Sequence, residues 1–281
     1  MRRRPGPGVL ALPGLAWLAL FFLVPLAIIV VVSLGDHDRF GKILFDSPSL
    51  DNYTAALDPM FLGPVWNSLR YAAATTILCL LIGYPVAYWI SRYGGRHKTL
   101  LLVLVMLPFW TSYLIRTYAW ITILGDVGVV NSLLRALGVV DEPMILLNTE
   151  FSVVLGMTYG FLPFAILPLF VSIDRLDDAL VSAARDLYAS GASAFRHVTL
   201  PLTMPGIVAA SILTFIPAIG DFVTPDLLGG AETTTIAKII QGQFLGARDW
   251  PAGAAMGVLL MAVTIIASLA VIRSLRREVL G

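Results

Sequence analysis

Arg116 and Asp221 are the notable ionisable residues within long apolar stretches of this sequence, and Trp110, Tyr113, Tyr118, Trp120 and Tyr159 supply aromatic faces that attract a cation. Counting about 1.5 Å per residue from Leu100 and Met204 puts both charges about 25 Å along their stretches, near one edge of an apolar layer. The chemistry open to such groups is recognition of charge, not bond making. No acid–base pair and no nucleophile with a neighbouring base occurs within these stretches. Cys79 is the sole cysteine, which excludes an intrachain disulfide or a cysteine metal site. His37, His97 and His197 are far apart, so no metal is expected. Gly94-Gly95-Arg96-His97-Lys98-Thr99 lacks the spacing of a phosphate-binding loop. The chain is therefore not expected to hydrolyse ATP, and no cofactor is implied.

Each of these residues also has an ordinary structural reading. Arg116 either snorkels to the interface or pairs with an acid; a charge at mid-layer would cost about 2.5–3.5 kcal/mol on the insertion scale, and much less at the edge. Tryptophan and tyrosine near an interface commonly serve as belt anchors. Tyr159 departs from that reading, because it lies inward of Glu150 beside Gly156 and Gly160. Asp221 follows Gly220 and precedes Pro225, so irregular backbone is expected there, and irregular backbone at that depth faces protein or a cavity. Asp221, Tyr159, Trp110 and Arg116 are the candidate residues of a polar path.

The elements that must position them are membrane helices. Hydrophobic residues make up 58% of the chain and charged residues 13%, with a mean hydropathy of +0.84; a soluble domain carries roughly a quarter charged residues. Charge-free windows run Pro5–Gly35, Tyr71–Ser91, Leu100–Ile115, Phe151–Ile173, His197–Gly220 and Pro251–Ile272. All but the third are long enough to cross about 30 Å of hydrocarbon. The third ends at Arg116, but its apolar pattern resumes through Leu124. Six spans are expected. The first follows Arg2, Arg3 and Arg4, yet its stretch from Val9 to Leu34 is too long for a cleaved signal and has no small-residue cleavage site. It is expected to remain as a helix, over about 8–34.

Basic residues set the orientation. With the N-terminus in the cytoplasm, Arg2, Arg3, Arg4, Arg92, Arg96, Lys98, Arg175, Arg185, Arg196, Arg273, Arg276 and Arg277 all lie inside, against five of the 19 basic residues outside. Both termini are thus expected in the cytoplasm. The outer loops are acidic, with Asp36, Asp38, Asp46, Asp51, Asp58, Asp126, Asp141, Glu142, Glu150, Asp226, Glu232 and Asp249. They form either an ordinary solvated surface or a vestibule that attracts cations or a basic partner. Asn131–Leu137 has short amphipathic spacing suited to the outer surface.

One long cytoplasmic loop, residues 174–205, separates spans four and five. Asp177 or Asp178 can cap a first short helix whose apolar stripe is Leu180, Ala183, Ala184 and Leu187. Gly191 interrupts the pattern, and a second short helix through Ala192–Val198 leads to Leu200-Pro201, where proline suits a sharp return to the membrane. Such a compact helix pair, with small alanines permitting close approach, suits the docking of another protein.

Ser182–Pro201 reads SAARDLYASGASAFRHVTLP and resembles the loop shared by permease subunits of bacterial ABC importers. The family pattern is Glu-Ala-Ala, three residues, Gly, then a spacer to Ile/Val-x-Leu-Pro. Ala183, Ala184, Phe195, Val198, Leu200 and Pro201 match it; Ser182 stands where the family has Glu, and Tyr188 where it has Gly. Leu107–Trp120, Gly160–Phe170, Gly220–Gly230 and Ala247–Ala255 resemble the polyamine (spermidine/putrescine) branch, specifically its first permease subunit.

The resemblance implies an all-α membrane protein of type I ABC importer permease architecture, a single domain with a five-helix core over about 66–274 plus the N-terminal helix. It implies ATPase subunits, a second homologous permease and a periplasmic solute-binding protein as partners in the inner membrane, with no nucleic acid. Ser182, Ala183, Ala184, Asp186, Tyr188, Gly191, Phe195, Leu200 and Pro201 become the residues that meet the ATPase. The solute is expected to be a small cation of the spermidine/putrescine kind, or another small solute of the same class. A transporter driven by an ion gradient would instead need acids or histidines at mid-depth, and a membrane enzyme a paired catalytic constellation; a scaffold would not need the docking loop.

Overall fold

The computed structural model describes residues 7–38, 42–45 and 48–280. Arg2, Arg3, Arg4, Arg39 and Asp46 lie outside them, and so do the side chains of Arg276 and Arg277. Five helical stretches are long and apolar enough to cross a membrane, and six if Gly191–Leu202 and Met204–Ile219, which meet at a 64° bend, count together as one span. Each of the six expected spans overlaps one of these, but the third overlaps Tyr113–Ala136 only in its second half and the fifth is the bent pair.

The chain forms two compact units. One holds the chain up to Leu62 together with Ile239–Ala262. Its first helix runs Pro7–Leu18, widens to a π turn at Ala19–Leu23 and resumes at Val24–Ser33. Pro25 has no N–H to return to the preceding turn, and the widening sits there. Leu18, Leu20, Phe21, Phe22 and Leu23 are all exposed, a face suited to lipid. A two-residue antiparallel ladder, Asp36–His37 with Ile43–Leu44, follows. The helix Asp51–Ala56 is tied to the end of the first span: the Ser33 and Tyr53 hydroxyls lie 2.6 Å apart, and Asn52 donates to the Ser33 and Gly35 carbonyls. The last helix, Trp250–Leu280, begins in this unit.

The other unit holds Gly63–Lys238 and the chain from Val263. Its centre is Glu150–Asp174, where Val153, Met157, Ala165, Ile166, Leu169 and Ile173 are buried. Thr149 and Ser152 form a reciprocal cap at its start. This helix packs along Met204–Ile219, the straight helix of the fifth span. Small residues permit the approach, as membrane helices require. A Cβ on Gly206 would come 2.9 Å from the Pro168 carbonyl oxygen, and on the side facing Tyr113–Leu124 a Cβ on Gly160 would come 2.9 Å from the Tyr113 ring. Leu62–Tyr93, the second span, is joined to the fourth by an Arg70–Glu150 ion pair.

The third span departs from expectation. It is helical over Lys98–Met106, tightens to a 3-10 turn at Leu107–Trp110, and restarts at Tyr113–Leu124. Pro108 falls in the tight turn, and Thr111 is extended. A kink-forming proline thus opens into a full break. The segment after it is also corrected in part. Val129–Ala136 is a helix with exposed Val129 and Leu133, but Asn131 is buried, donating to the Gly125 and Met144 carbonyls and accepting from the Met144 N–H.

Candidate functional site

The loop between spans four and five is built as two short helices. Asp177, one of the two expected caps, accepts from the Ala179 N–H at 2.9 Å and starts Asp178–Asp186. The chain reverses at Tyr188, which adopts a left-handed φ of 63°. The Tyr188 N–H reaches the Arg185 carbonyl at 2.9 Å, and the Ala189 N–H reaches Ala184 at 3.1 Å. That pair of bonds is the helix-ending motif whose left-handed position favours glycine. The interruption expected at Gly191 therefore lies earlier, at Tyr188. Gly191 instead begins Gly191–Ala194, capped by Ser190. This second helix continues through a π segment, Phe195–Thr199, to Leu200–Leu202. The sharp bend, 64°, comes at Thr203 rather than at Pro201, with Pro205 in the first turn of the next helix.

Both halves of the loop rest on the end of the second span. Phe195 packs edge-on against Tyr84 and Tyr88, with centroids 5.7 and 6.4 Å away. The Tyr84 and Thr203 hydroxyls are 2.8 Å apart. On the other half, Arg92 pairs with Asp178. The outward face carries Ser182, Ala183, Asp186 and Leu187, all exposed, and Tyr188, which is 99% exposed. A Cβ on Gly191 would meet nothing within 4 Å. Of the apolar stripe, Leu180, Ala183 and Leu187 are exposed and Ala184 is half-buried. Beside it lies a largely apolar cleft of about 790 Å³, bordered by Leu167, Val171, Arg175, Leu180, Leu202 and Leu213.

Asp221, Tyr159 and Arg116 come together in one cluster, and Trp110 does not join it. The helix Met204–Ile219 ends as the Gly220…Pro225 spacing implies, and a short helix, Val223–Leu227, starts after it. Asp221, 8% exposed, caps that start through the Val223 and Thr224 N–H groups at 2.9 and 3.3 Å. Its Oδ2 accepts from Thr224 Oγ1 at 2.5 Å and from Tyr113 Oη at 2.6 Å. A carboxylate has about four acceptor positions, and four donors fill them. Arg116 makes no ion pair among the described residues. Its guanidinium carbon sits 5.1 Å from the Phe109 ring, 5.4 Å from Tyr113 and 5.9 Å from Tyr159, within cation–π range. Its Nε and Nη1 are buried without a hydrogen-bond partner. Of the two expectations for Arg116, neither pairing with an acid nor simple snorkelling describes this cage of rings. Trp120 stacks edge-on against Tyr159 at 5.6 Å. Trp110 is 76% exposed.

Thr224 is the residue that sequence reasoning passed over, and Tyr113 entered it only as one of several aromatic faces, not as a partner of Asp221. Tyr113 precedes Arg116 by one helical turn, and Thr224 follows Asp221 by the spacing of a capping residue; those were the available signals. That Tyr113 joins Asp221 across 108 positions has no local signature.

Residues 79–280 match the family described as binding-protein-dependent transport system inner membrane component. The spermidine/putrescine transport system permease protein PotB of Haemophilus influenzae is 42% identical over 268 residues, covering 94% of this chain and 93% of that protein. PotB of Escherichia coli is 42% identical over 249 residues, covering 88% and 90%. Among solved structures, a bacterial ABC transporter that imports alginate aligns with a TM-score of 0.75 at 18% identity, covering 96% of this chain and 94% of that one. At that identity it establishes the fold, that of ABC importer permeases. Five or six apolar stretches long enough to cross a membrane, a two-helix loop with an exposed apolar face and a match over most of the length lead to one conclusion: the chain belongs to the inner-membrane components of binding-protein-dependent transport systems.

Proposed function

We propose that this chain is a permease subunit of an ATP-driven importer for a small cationic solute of the spermidine/putrescine class. The observation that carries the proposal is the loop 174–205: its outward apolar face is bare, while both its helices are anchored to the second span. A surface so exposed on a firm base suits a partner that pushes. That partner is a separate ATPase subunit, met by Ser182, Ala183, Ala184, Asp186, Tyr188, Gly191, Phe195, Leu200 and Pro201. A second homologous permease completes the path, and a periplasmic binding protein delivers the solute. Both termini lie in the cytoplasm, a reading supported by the distribution of basic residues.

The path in this reading passes the cluster of Asp221, Tyr159 and Arg116, with Trp110 beside it and outside the cluster. A charged residue within a span faces the bundle interior or water rather than lipid, which supports that placement. The polyamine class is supported by the 42% identity to two PotB permeases. One observation favours a second reading, the same machinery with a different small solute: the Asp221 acceptors are filled, and Arg116 adds a positive charge beside them. Competition of putrescine, spermidine and neutral or anionic solutes for uptake separates the two.

The test of the docking loop uses Gly191→Arg. The open space around Gly191 lets the chain fold with this side chain, whereas a bulky charge in a docked surface carries a desolvation cost. The variant is expected to insert normally, to lose copurifying ATPase and to lose uptake. Normal uptake with bound ATPase would refute the docking role.

A further inference from the structure

The fourth span ends at Asp174 and the first loop helix starts at Asp178, so only Arg175, Leu176 and Asp177 lie between them. A short connector of this kind is a natural hinge, and a hinge absorbs displacement instead of passing it on. Arg92, in the last turn of the second span, straddles it. One guanidinium nitrogen pairs with Asp178 on the far side. The other donates to the Ile173 carbonyl at 3.4 Å and to the Leu176 carbonyl at 3.3 Å, on the near side and within the connector. The Arg92 side chain is 16% exposed and that of Asp178 80%, so the bonds to the Ile173 and Leu176 carbonyls are the sheltered part of the grip and the ion pair is open to solvent. The planar guanidinium holds both sides at once, which a lysine point charge does less well.

Two further bonds fix the near side. Asp174 accepts from Lys98 Nζ at 2.6 Å and from Ser91 Oγ at 3.1 Å. The residues 91, 92 and 98, at the end of the second span and the start of the third, therefore grip the hinge from one direction. The other loop helix is held by the same span through Phe195 on Tyr84 and Tyr88.

We propose that Arg92 is a positioning residue that locks the Arg175–Asp177 hinge, so that displacement of the loop is delivered to the second span as a rigid movement. This rests on the docking-loop reading above and goes beyond it by naming the residue that joins loop to span. The role needs no contact of Arg92 with solute or nucleotide. Its effect is on how much movement arrives.

The test is the ratio of ATP hydrolysed to solute moved, measured on the complete transporter in proteoliposomes. In Arg92→Ala the complex is expected to assemble and binding-protein-stimulated hydrolysis to stay within about twofold. Uptake is expected to fall about fivefold or more, the lower end of ordinary coupling between sites. Asp178→Asn should move the ratio in the same direction, and Asp178→Glu should restore it. Because Asp178 is exposed, its variants also serve if Arg92→Ala does not assemble. An unchanged ratio in active Asp178→Asn and Arg92→Ala complexes, or hydrolysis and uptake falling together in assembled complexes, would overturn the role of Arg92 and leave the docking reading standing. A wild-type complex without ATP-driven uptake would instead overturn that reading and the role of Arg92 with it.

Discussion

Tyr113 donates its phenolic hydrogen to Asp221 at 2.6 Å while its ring lies 5.4 Å from the Arg116 guanidinium carbon. The acid and the base are thus linked through one tyrosine, not by an ion pair. The carboxylate also fixes the break after the fifth span by capping Val223–Leu227. Charge, local backbone and an aromatic wall meet at one residue.

Asp221→Asn keeps the shape but replaces an acceptor with an amide donor, which faces the Tyr113 and Thr224 hydroxyls. A hydrogen bond to a charged group contributes about 1.5–3 kcal/mol, so uptake should fall by roughly 10- to 150-fold per assembled complex. Tyr113→Phe removes one such bond and leaves the charge, and should cost less. Initial uptake rates of the two variants, normalised to complex, check the order. A larger loss in Tyr113→Phe would mean that the tyrosine, not the charge, matters.

If Asp221 served to neutralise Arg116, Arg116→Gln would repair Asp221→Asn. With no ion pair between them, no repair is expected, and the double variant should be no better assembled than Asp221→Asn. Quantifying intact complex in the three variants decides this. Recovery in the double variant would point to a direct pair in another state of the cycle.

Tyr188 is a non-glycine residue at a position that glycine favours. Relieving a left-handed conformation gains about 1–2 kcal/mol per residue, and the added freedom of glycine in the unfolded chain costs roughly 0.5–1 kcal/mol. Tyr188→Gly should therefore leave the isolated subunit as stable or slightly more so. If the exposed ring meets the ATPase, the same change should weaken copurification. Thermal unfolding in detergent and ATPase retention, measured together, test both halves.

Much of this was legible in the sequence, and the limits have physical causes. The docking loop carries short-range signals: an Asp cap, an apolar stripe and prolines at the return. Its position between two long apolar windows needed only charge counting. The break in the third span was hidden because Pro108 in an apolar run reads as a kink, and the loss of helix at Thr111–Ser112 depends on neighbouring packing. Asn131 looked like a surface residue by type, yet it is buried, and its amide is satisfied there by three backbone groups, the Gly125 and Met144 carbonyls and the Met144 N–H. Tyr113 and Asp221 are brought together only by folding, with Gly160 leaving room for the ring.

Orientation is open to chemical labelling, since Cys79 is buried and gives little background. Val127, 93% exposed, serves as the outer probe. A cysteine at Val127 should react with an impermeant thiol reagent from outside, and one at Tyr188 only after the cytoplasmic face is opened. The reverse pattern would invert the topology.

The central claim is most directly tested by reconstituting the chain with its second permease and ATPase subunits in proteoliposomes and following radiolabelled spermidine and putrescine. The account predicts uptake that requires ATP on the loop side and the loaded binding protein on the other, and that is lost in Gly191→Arg. Uptake that proceeds without ATP and follows an imposed ion gradient would contradict it.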